Sequence, residues 1–458
     1  MNRPIYNPIL LPELREMLAE GDKEGLKTVL EELHPATIAD FSEGLEPAEI
    51  WKFLEFTEIE RQAEISTYYS MPKQVELVAA ADRDRISKIL EEMPPDDRVD
   101  LLQELDDEHV EDLLPLVAKA ERHDIRLLLS YPDDSAGSIM TTEYASLPDN
   151  ISATEAIIRL RQQAPESETI YYVCVLDNER RLVGIVSLRN LILSRPNALV
   201  KEIMKRDAVA VRVDDDREKV AQQLGKYNFL AIPVVDNQHR LVGIVTHDDA
   251  MDVVIEEATE DALRMGAVGT MVESILDAPF AMVWRKRAVW LSCLFVAELM
   301  TFAAMAFYEG AITAIFALAF FVPLCISTGG NSGAQAATLI TRAMALGQVR
   351  PRDWLRVLRH ELAMGLVLGL TLGSIAFLQV SLTPQSILGQ VDRWLLGMVV
   401  ASAVTLICLW GTLVGSLMPL AFERLGFDPG YASSPFVATL VDVTGIVIYF
   451  SIATVVLL

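Results

Sequence analysis

"DPGYASSPFVATLVDVTGIVIYF", Asp428 to Phe450, decides how the C-terminal part of this chain is read. From Tyr431 to Leu458 the one charged side chain is Asp442. That stretch is long enough to cross a bilayer core of about 30 Å. An ionised carboxylate at mid-membrane costs at least roughly 2.5–3.5 kcal/mol, so such residues usually face a water-filled cavity or pair inside a bundle. Asp442 therefore points to a cation path. Ser434, Ala438, Asp442 and Gly445 or Ile446 share one helical face, with Thr439 beside it, and small and hydroxyl side chains there leave room for a hydrated ion. The alternative is a protonated or paired structural Asp.

Working back from that segment, four more apolar stretches give five spans: Ala288–Tyr308, Ala311–Thr341, Leu362–Leu382, Trp394–Phe422 and Ser433–Leu458. Arg285, Lys286 and Arg287 precede the first, and Arg342, Arg350, Arg352, Arg356 and Arg359 fill the connection after the second. Positive charge of this kind marks the cytoplasmic side, which places the N-terminus inside and the C-terminus outside. Gly365, Gly369 and Gly373, with Gly411 and Gly415, are spaced for close helix packing. The second span contains "PLCISTGGNSGAQAATLITR", Pro323 to Arg342, where Gly329, Gly330 and Gly333 predict a kinked or interrupted helix. Irregular backbone at that depth is tolerated only when buried in protein or lining water. If the helix continues, Asn331, Gln335, Thr338 and Arg342 form a polar stripe; interhelical hydrogen bonding is the alternative use of it.

Charge divides the chain sharply. Residues 284–458 hold 8 acidic and 10 basic side chains, while residues 1–283 hold 56 acidic and 29 basic, a net −27. The first part reads as an acidic soluble body that repels nucleic acid and concentrates cations. Met1 to Met17 lacks the apolar core of a secretory signal. Cys174, Cys293, Cys325 and Cys408 are widely spaced without a zinc pattern and read as small core residues. No phosphate-binding glycine loop or nucleophile elbow occurs, and nothing points to an enzyme.

Residues 1–130 carry short amphipathic units punctuated by Pro35, Pro47, Pro72, Pro94 and Pro115. Proline near a helix start is harmless, so a small superhelical stack of short helices is expected. Residues 131–196 and 197–258 form an internal repeat: "VCVLDNERRLVGIVSLRNLI" from Val173 returns as "IPVVDNQHRLVGIVTHDDAM" from Ile232, 59 residues later. "SIMTTEYASL" and "EIMKRDAVAV" repeat upstream. The duplicated β-β-α unit resembles a pair of cystathionine-β-synthase (CBS) domains, which are regulatory, often bind adenine nucleotides and often dimerise. Ser187 and Asn190, with Thr246 and Asp249, stand where such units commonly contact ribose and phosphate; plain turn capping is the alternative. Residues 253–283 read as a helical connector into the first span.

"GGNSGAQAATLITRAMA" (Gly329–Ala345) and "DPGYASSPFVATLVDVTGIVIYF" together resemble the two signature stretches of the MgtE family of bacterial Mg²⁺ channels and transporters. Mg²⁺ dehydrates reluctantly and is commonly held through its waters by one or two carboxylates. The order of parts also matches: a helical N-domain, an α/β CBS pair, a connecting plug helix and an all-α five-span membrane domain. The resemblance implies a homodimer in the plasma (inner) membrane whose pore is built from spans two and five. Asp442 would bind hydrated Mg²⁺, with Gly329, Gly330, Asn331, Gln335, Ala438 and Thr439 lining the path.

It further implies closure by intracellular Mg²⁺ at Asp96, Asp100, Asp216, Glu218, Asp249, Asp252, Glu257, Glu260 and Asp261. Any one of these alone is most often a solvated surface acid; taken together and in this domain order they favour sensing. The family can present an acid where this chain has Asn228. ATP is a further expected ligand of the CBS pair. Other divalent ions are compatible with one pore carboxylate per subunit. Two rival readings are a nucleotide-regulated carrier of another divalent cation or solute, and a membrane Mg²⁺ sensor that conducts nothing.

Overall fold

The computed structural model describes residues 11–269 and 278–458. It divides into two units, Met1–Glu257 and Ala258–Leu458. In the first unit, ten short helices precede the first strand among the described residues. Pro35, Pro47 and Pro95 each occupy the first position of one of them, where the missing N–H has no partner to lose. Helix Pro35–Ser42 packs on Ile59–Thr67, which packs on Arg83–Glu92, so alternate helices stack. Leu26, Leu30, Ile38, Ile50, Phe53, Leu54 and Ile65 form the interior.

Arg98 is an ion inside this apolar stack, 1% exposed. Its guanidinium donates to Glu121 at 2.5 Å and to the Met93 carbonyl at 2.6 Å, tying helix Pro95–Gln103 to helix Lys119–Leu128. Those bonds fix the helix that carries Asp96, Asp97 and Asp100.

The repeat folds as two equivalent three-stranded sheets. β1 (Tyr144–Pro148), β2 (Thr169–Leu176) and β3 (Leu182–Ser187) make one, and β4 (Val211–Arg212), β5 (Ala231–Val235) and β6 (Leu241–Thr246) the other. In each, the first strand runs parallel to the second and the second antiparallel to the third. Val173 pairs with Val186, and Ile232 with Val245. The expected β-β-α unit thus gains a leading strand and a crossover helix, Ala153–Gln163 or Arg217–Tyr227. The hairpin turns place Arg180 and His239 at φ 62° and 61°. There the two repeats join, Leu182 N–H donating to the His239 carbonyl and Leu241 N–H to that of Arg180. Helix His247–Met265 continues from β6; residues 270–277 of the expected connector lie outside the described residues.

Five helices in the second unit are long and apolar enough to cross a membrane. They are span 1 (Phe280–Phe307), span 2 (Val322–Ala345), span 3 (Trp354–Leu382), span 4 (Arg393–Arg424) and span 5 (Ser434–Leu457). Two expectations are corrected. Arg356 and Arg359 lie in the first turns of span 3, not in the connection. Span 2 is one unbroken helix through Gly329, Gly330 and Gly333. Its glycines serve contact instead of bending: a β-carbon on Gly411 would stand 2.5 Å from the Gly329 carbonyl oxygen. Spans 2 and 4 meet there backbone to backbone, as small residues allow. Gly365, Gly369 and Gly373 let span 3 approach span 4 closely too, Gly365 against the Thr412 hydroxyl and Gly369 and Gly373 against the Thr405 and Ala401 carbonyls.

Candidate ion pathway and cation-sensing acids

Span 5 presents Asp442 to span 2 at the point where span 2 has no side chain. A β-carbon on Gly330 would lie 3.2 Å from Asp442 Oδ1 and 3.4 Å from the Ala438 β-carbon. Oδ1 is enclosed and has no hydrogen-bond partner among the described residues. An unpartnered carboxylate oxygen is expensive, and a cation or its water shell is what such an oxygen accepts from. Thr439 is turned to its own helix, its hydroxyl donating to the Pro435 carbonyl at 3.0 Å.

From Asp442 a polar stripe follows span 2. Asn331, Gln335, Thr338 and Arg342 are all exposed in the single chain. Asn331 Nδ2 donates to Ser327 Oγ at 3.2 Å, adding a hydroxyl that the sequence reading missed. Thr338 Oγ1 lies 3.3 Å from Ser434 Oγ. Polar groups at membrane depth must meet water or protein. Gly329 differs from the expectation: it is buried between Ile407 and Val441, so it packs the helix and borders no open face.

The sensing candidates separate into three groups. Asp96 and Asp100 of helix Pro95–Gln103, with Asp97, face Asp249 and Asp252 across the first unit, and Glu168, Asp248 and Glu256 add charge to the same region. Burial, then the Glu168 charge, pushes the Asp96 carboxyl up to about 7. Burial, then Asp96, pushes Asp249 up to about 8. Burial also raises Asp97, ahead of Asp96 and Asp249. Asp96 Oδ1 is enclosed and has no hydrogen-bond partner among the described residues. Glu168 was missed because only tertiary packing brings it beside the others; Asp97, Asp248 and Glu256 adjoin the expected acids Asp96, Asp249 and Glu257 in the chain, and packing shows that they share the region. Among the described residues no three acidic, histidine or cysteine side chains close on one point as a ready-made metal cage.

The second group is already neutralised or engaged locally. Glu257 pairs with Arg217 at 3.1 Å. Asp216 caps helix Arg217–Tyr227 by accepting from Lys219 N–H, and Glu218 accepts from Gln222. Asn228 closes the same helix at φ 52°, a left-handed position that Asn tolerates well. The third group lies at the end of helix His247–Met265. Glu260 pairs with Arg264, and Arg264 also pairs with Asp428, just before span 5. Burial, then the Asp428 charge, raises Asp261 there.

At the nucleotide candidates, Ser187 accepts from Asn190 N–H as a helix cap. Thr246 is buried, its hydroxyl donating to Asp249 at 2.5 Å and to Asp248. Nearby, Tyr172 packs edge-on to Phe229, which stacks with Tyr227.

Residues 322–452 match the MgtE divalent cation transporter family, 33–134 the MgtE intracellular N domain, and 136–196 and 200–256 CBS domains. The chain is 39% identical to the magnesium transporter MgtE of Thermus thermophilus over 451 residues, 97% of this chain and 98% of that protein. The chain belongs to the MgtE family. A Bacillus subtilis MgtE magnesium transporter is 31% identical over 96% of this chain and 95% of its own. MgtE proteins are transporters and not enzymes, and with five membrane-capable helices this one is a multi-pass membrane protein. The solved soluble part of a magnesium transporter superposes with a TM-score of 0.52 at 34% identity, covering 54% of this chain and 98% of that one. The cytosolic domain of the Mg²⁺ channel MgtE in complex with ATP superposes with a TM-score of 0.50 at 38% identity, covering 52% and 98%.

Proposed function

We propose that this protein carries Mg²⁺ across the plasma membrane as a homodimer, along a path between spans 2 and 5 of two copies. One observation carries the reading: an enclosed, unpartnered Asp442 oxygen beside Gly330, at the head of an uncovered polar stripe. Two such carboxylates across a two-fold axis would hold an ion through its waters, with Asn331, Gln335 and Ala438 offering polar or small surface around it. The membrane potential drives the ion, contributing about 4.6 kcal/mol per 100 mV for a double charge. The basic residues near the first turns of spans 1 and 3 support a cytoplasmic N-terminus and an outer C-terminus.

Cytoplasmic Mg²⁺ closes the path. Without it, the carboxylates of Asp96, Asp97, Asp100, Asp249 and Asp252 repel; with it, ions bridge them and favour the packed arrangement. Only an ion that binds one state better than the other shifts the balance. Helix His247–Met265 acts as the plug, its Arg264 held by Asp428 at the entry to span 5. ATP at the CBS pair is a secondary part of the proposal, supported by the ATP-bound relative and by the Tyr172–Phe229–Tyr227 aromatic group.

Flux into liposomes holding the purified protein tests this reading. Asp442→Asn is expected to abolish Mg²⁺ entry while the protein still elutes as wild type. Normal flux in that variant would end the pore assignment, and no flux even in wild type would favour a non-conducting sensor. Protection from protease by ATP but not by Mg²⁺ would favour the nucleotide-regulated carrier.

A further inference from the structure

Span 1 carries a second acid at membrane depth. Between Arg287 and Glu309 its one charged residue is Glu298. It stands eleven residues beyond Arg287, roughly 16 Å at 1.5 Å per residue, which is near the middle of a bilayer core. A carboxylate there carries the same penalty as Asp442 and calls for the same kind of explanation.

Its helical face is defined by burial. From Trp290 to Tyr308 the less exposed positions are Trp290, Leu294, Ala297–Glu298, Thr301, Ala304–Met305 and Tyr308, which recur every three or four residues, whereas the others in that stretch are exposed. Glu298 thus lies on the face turned to protein, and Thr301 Oγ1 donates to its Oε1 at 2.9 Å.

The partner of that face is span 5, and the register is fixed at one end. Tyr308 stacks on Phe450 with ring centroids 5.3 Å apart, and its hydroxyl lies 2.9 Å from Ser451 Oγ. First and fifth in an alternating series, the two spans run in the same direction. Ten residues back from Tyr308 is Glu298; nine back from Ser451 is Asp442. At 1.5 Å per residue these are about 15 and 14 Å from the anchor. The two carboxylates come level, and among the described residues Glu298 is the charged group within electrostatic reach of Asp442.

We propose that Glu298 is a second acidic residue of the cation path, set behind Asp442 in each copy, where it strengthens the attraction for a divalent ion and favours it over a monovalent one. The idea rests on the pore assignment of Asp442. A charge acting at a distance on a doubly charged ion sets affinity more than throughput, so its removal is read in the half-saturating concentration. Thr301 holds the Glu298 carboxylate in place and is a positioning residue.

The test uses full-length protein in liposomes, with flux measured against external Mg²⁺ and against Na⁺ as monovalent competitor. Glu298→Gln keeps size and hydrogen bonding; it is expected to raise the half-saturating Mg²⁺ by about ten-fold, to change maximal flux by less than about two-fold, and to make Na⁺ a stronger competitor. Glu298→Asp is expected to restore most of the affinity. An unchanged half-saturation and unchanged Na⁺ competition in Glu298→Gln, with Asp442→Asn inactive, would overturn the role of Glu298 and leave the pore reading standing. Active Asp442→Asn would remove the pore reading itself. Should Glu298→Gln fail to reach the membrane, Thr301→Val carries the test: a several-fold rise in half-saturating Mg²⁺ supports the proposal and none overturns it.

Discussion

Gly330 and Asp442 are packed against each other, with room for no more than a hydrogen on the glycine before the carboxylate is touched. The contact couples two helices that carry opposite resources, one a backbone that yields space and the other a charge that needs it. Replacing Gly330 by Ala sets a methyl group 3.2 Å from Oδ1, and the acid must turn by a few tenths of an ångström. We expect Mg²⁺ flux to fall roughly three- to ten-fold with little change in thermal stability, since small misplacements of a site weigh on function first. Gly329→Ala differs, because its β-carbon would meet Ile407 at 2.6 Å and Val441 at 2.7 Å. Overpacking of that kind costs about 1–3 kcal/mol and should lower the melting temperature. Equal thermal effects from both substitutions would contradict this division of labour.

Protons and Mg²⁺ compete for the cytoplasmic acids. Asp96 is pushed up to about 7 and Asp249 to about 8, burial being the first cause in each. When separated or unfolded, these carboxyls titrate near 4. Protonation is therefore favoured in the packed state. The electrostatic penalty is complete above about pH 8 and fades as pH falls through 7 toward 4. Without Mg²⁺, the cytoplasmic part should resist protease better at pH 6 than at pH 8.5, and Mg²⁺ should add more protection at pH 8.5. The reverse order in a limited-digestion series would sink the idea that these acids repel.

Much of this arrangement was legible in the chain. Asp442 announced itself because a charge among apolar residues is costly, and the CBS repeat because two 59-residue-spaced copies share one hairpin phrase. Proline at helix starts marked the N-domain stack. Other features were hidden for physical reasons. Glycine spacing in span 2 is compatible with a break or with close contact, and only Gly411 and Gly415 on the facing helix decide for contact. Asp97 and Glu168 lie far apart in sequence and gain meaning only when packing sets them beside Asp249. Glu298 was visible as an acid in an apolar span, yet its face becomes evident only from the Tyr308–Ser451 anchor.

Arg98 offers a test of how the sensing helix is held. Its buried guanidinium is balanced by Glu121, which is 32% exposed, and by two backbone carbonyls. Arg98→Met removes the charge but leaves those carbonyls and Glu121 unmatched. A loss of about 3 kcal/mol is expected, with Asp96 and Asp100 less firmly placed. The midpoint for Mg²⁺ protection should rise along with the loss of thermal stability. Adding Glu121→Leu should recover part of the stability. A double variant no better than the single one would show that the pair is not the relevant contact.

Arg264 joins helix His247–Met265 to the residue stretch that leads into span 5, through Asp428, while Glu260 holds the same guanidinium from within the helix. The Arg264 side chain is about a quarter exposed and also lies over the Tyr431 ring at 5.8 Å. Such a contact is worth on the order of 1 kcal/mol in a coupled pair, enough for about a five-fold shift between closed and open states. Arg264→Ala should therefore leave maximal flux intact and raise by about five-fold the internal Mg²⁺ needed to stop it. Asp428→Asn should act in the same direction. Because both remove one interaction, the two together should do little more than either alone. Additive shifts in the inhibitory Mg²⁺ concentration would mean that the residues work separately and that the plug is held some other way.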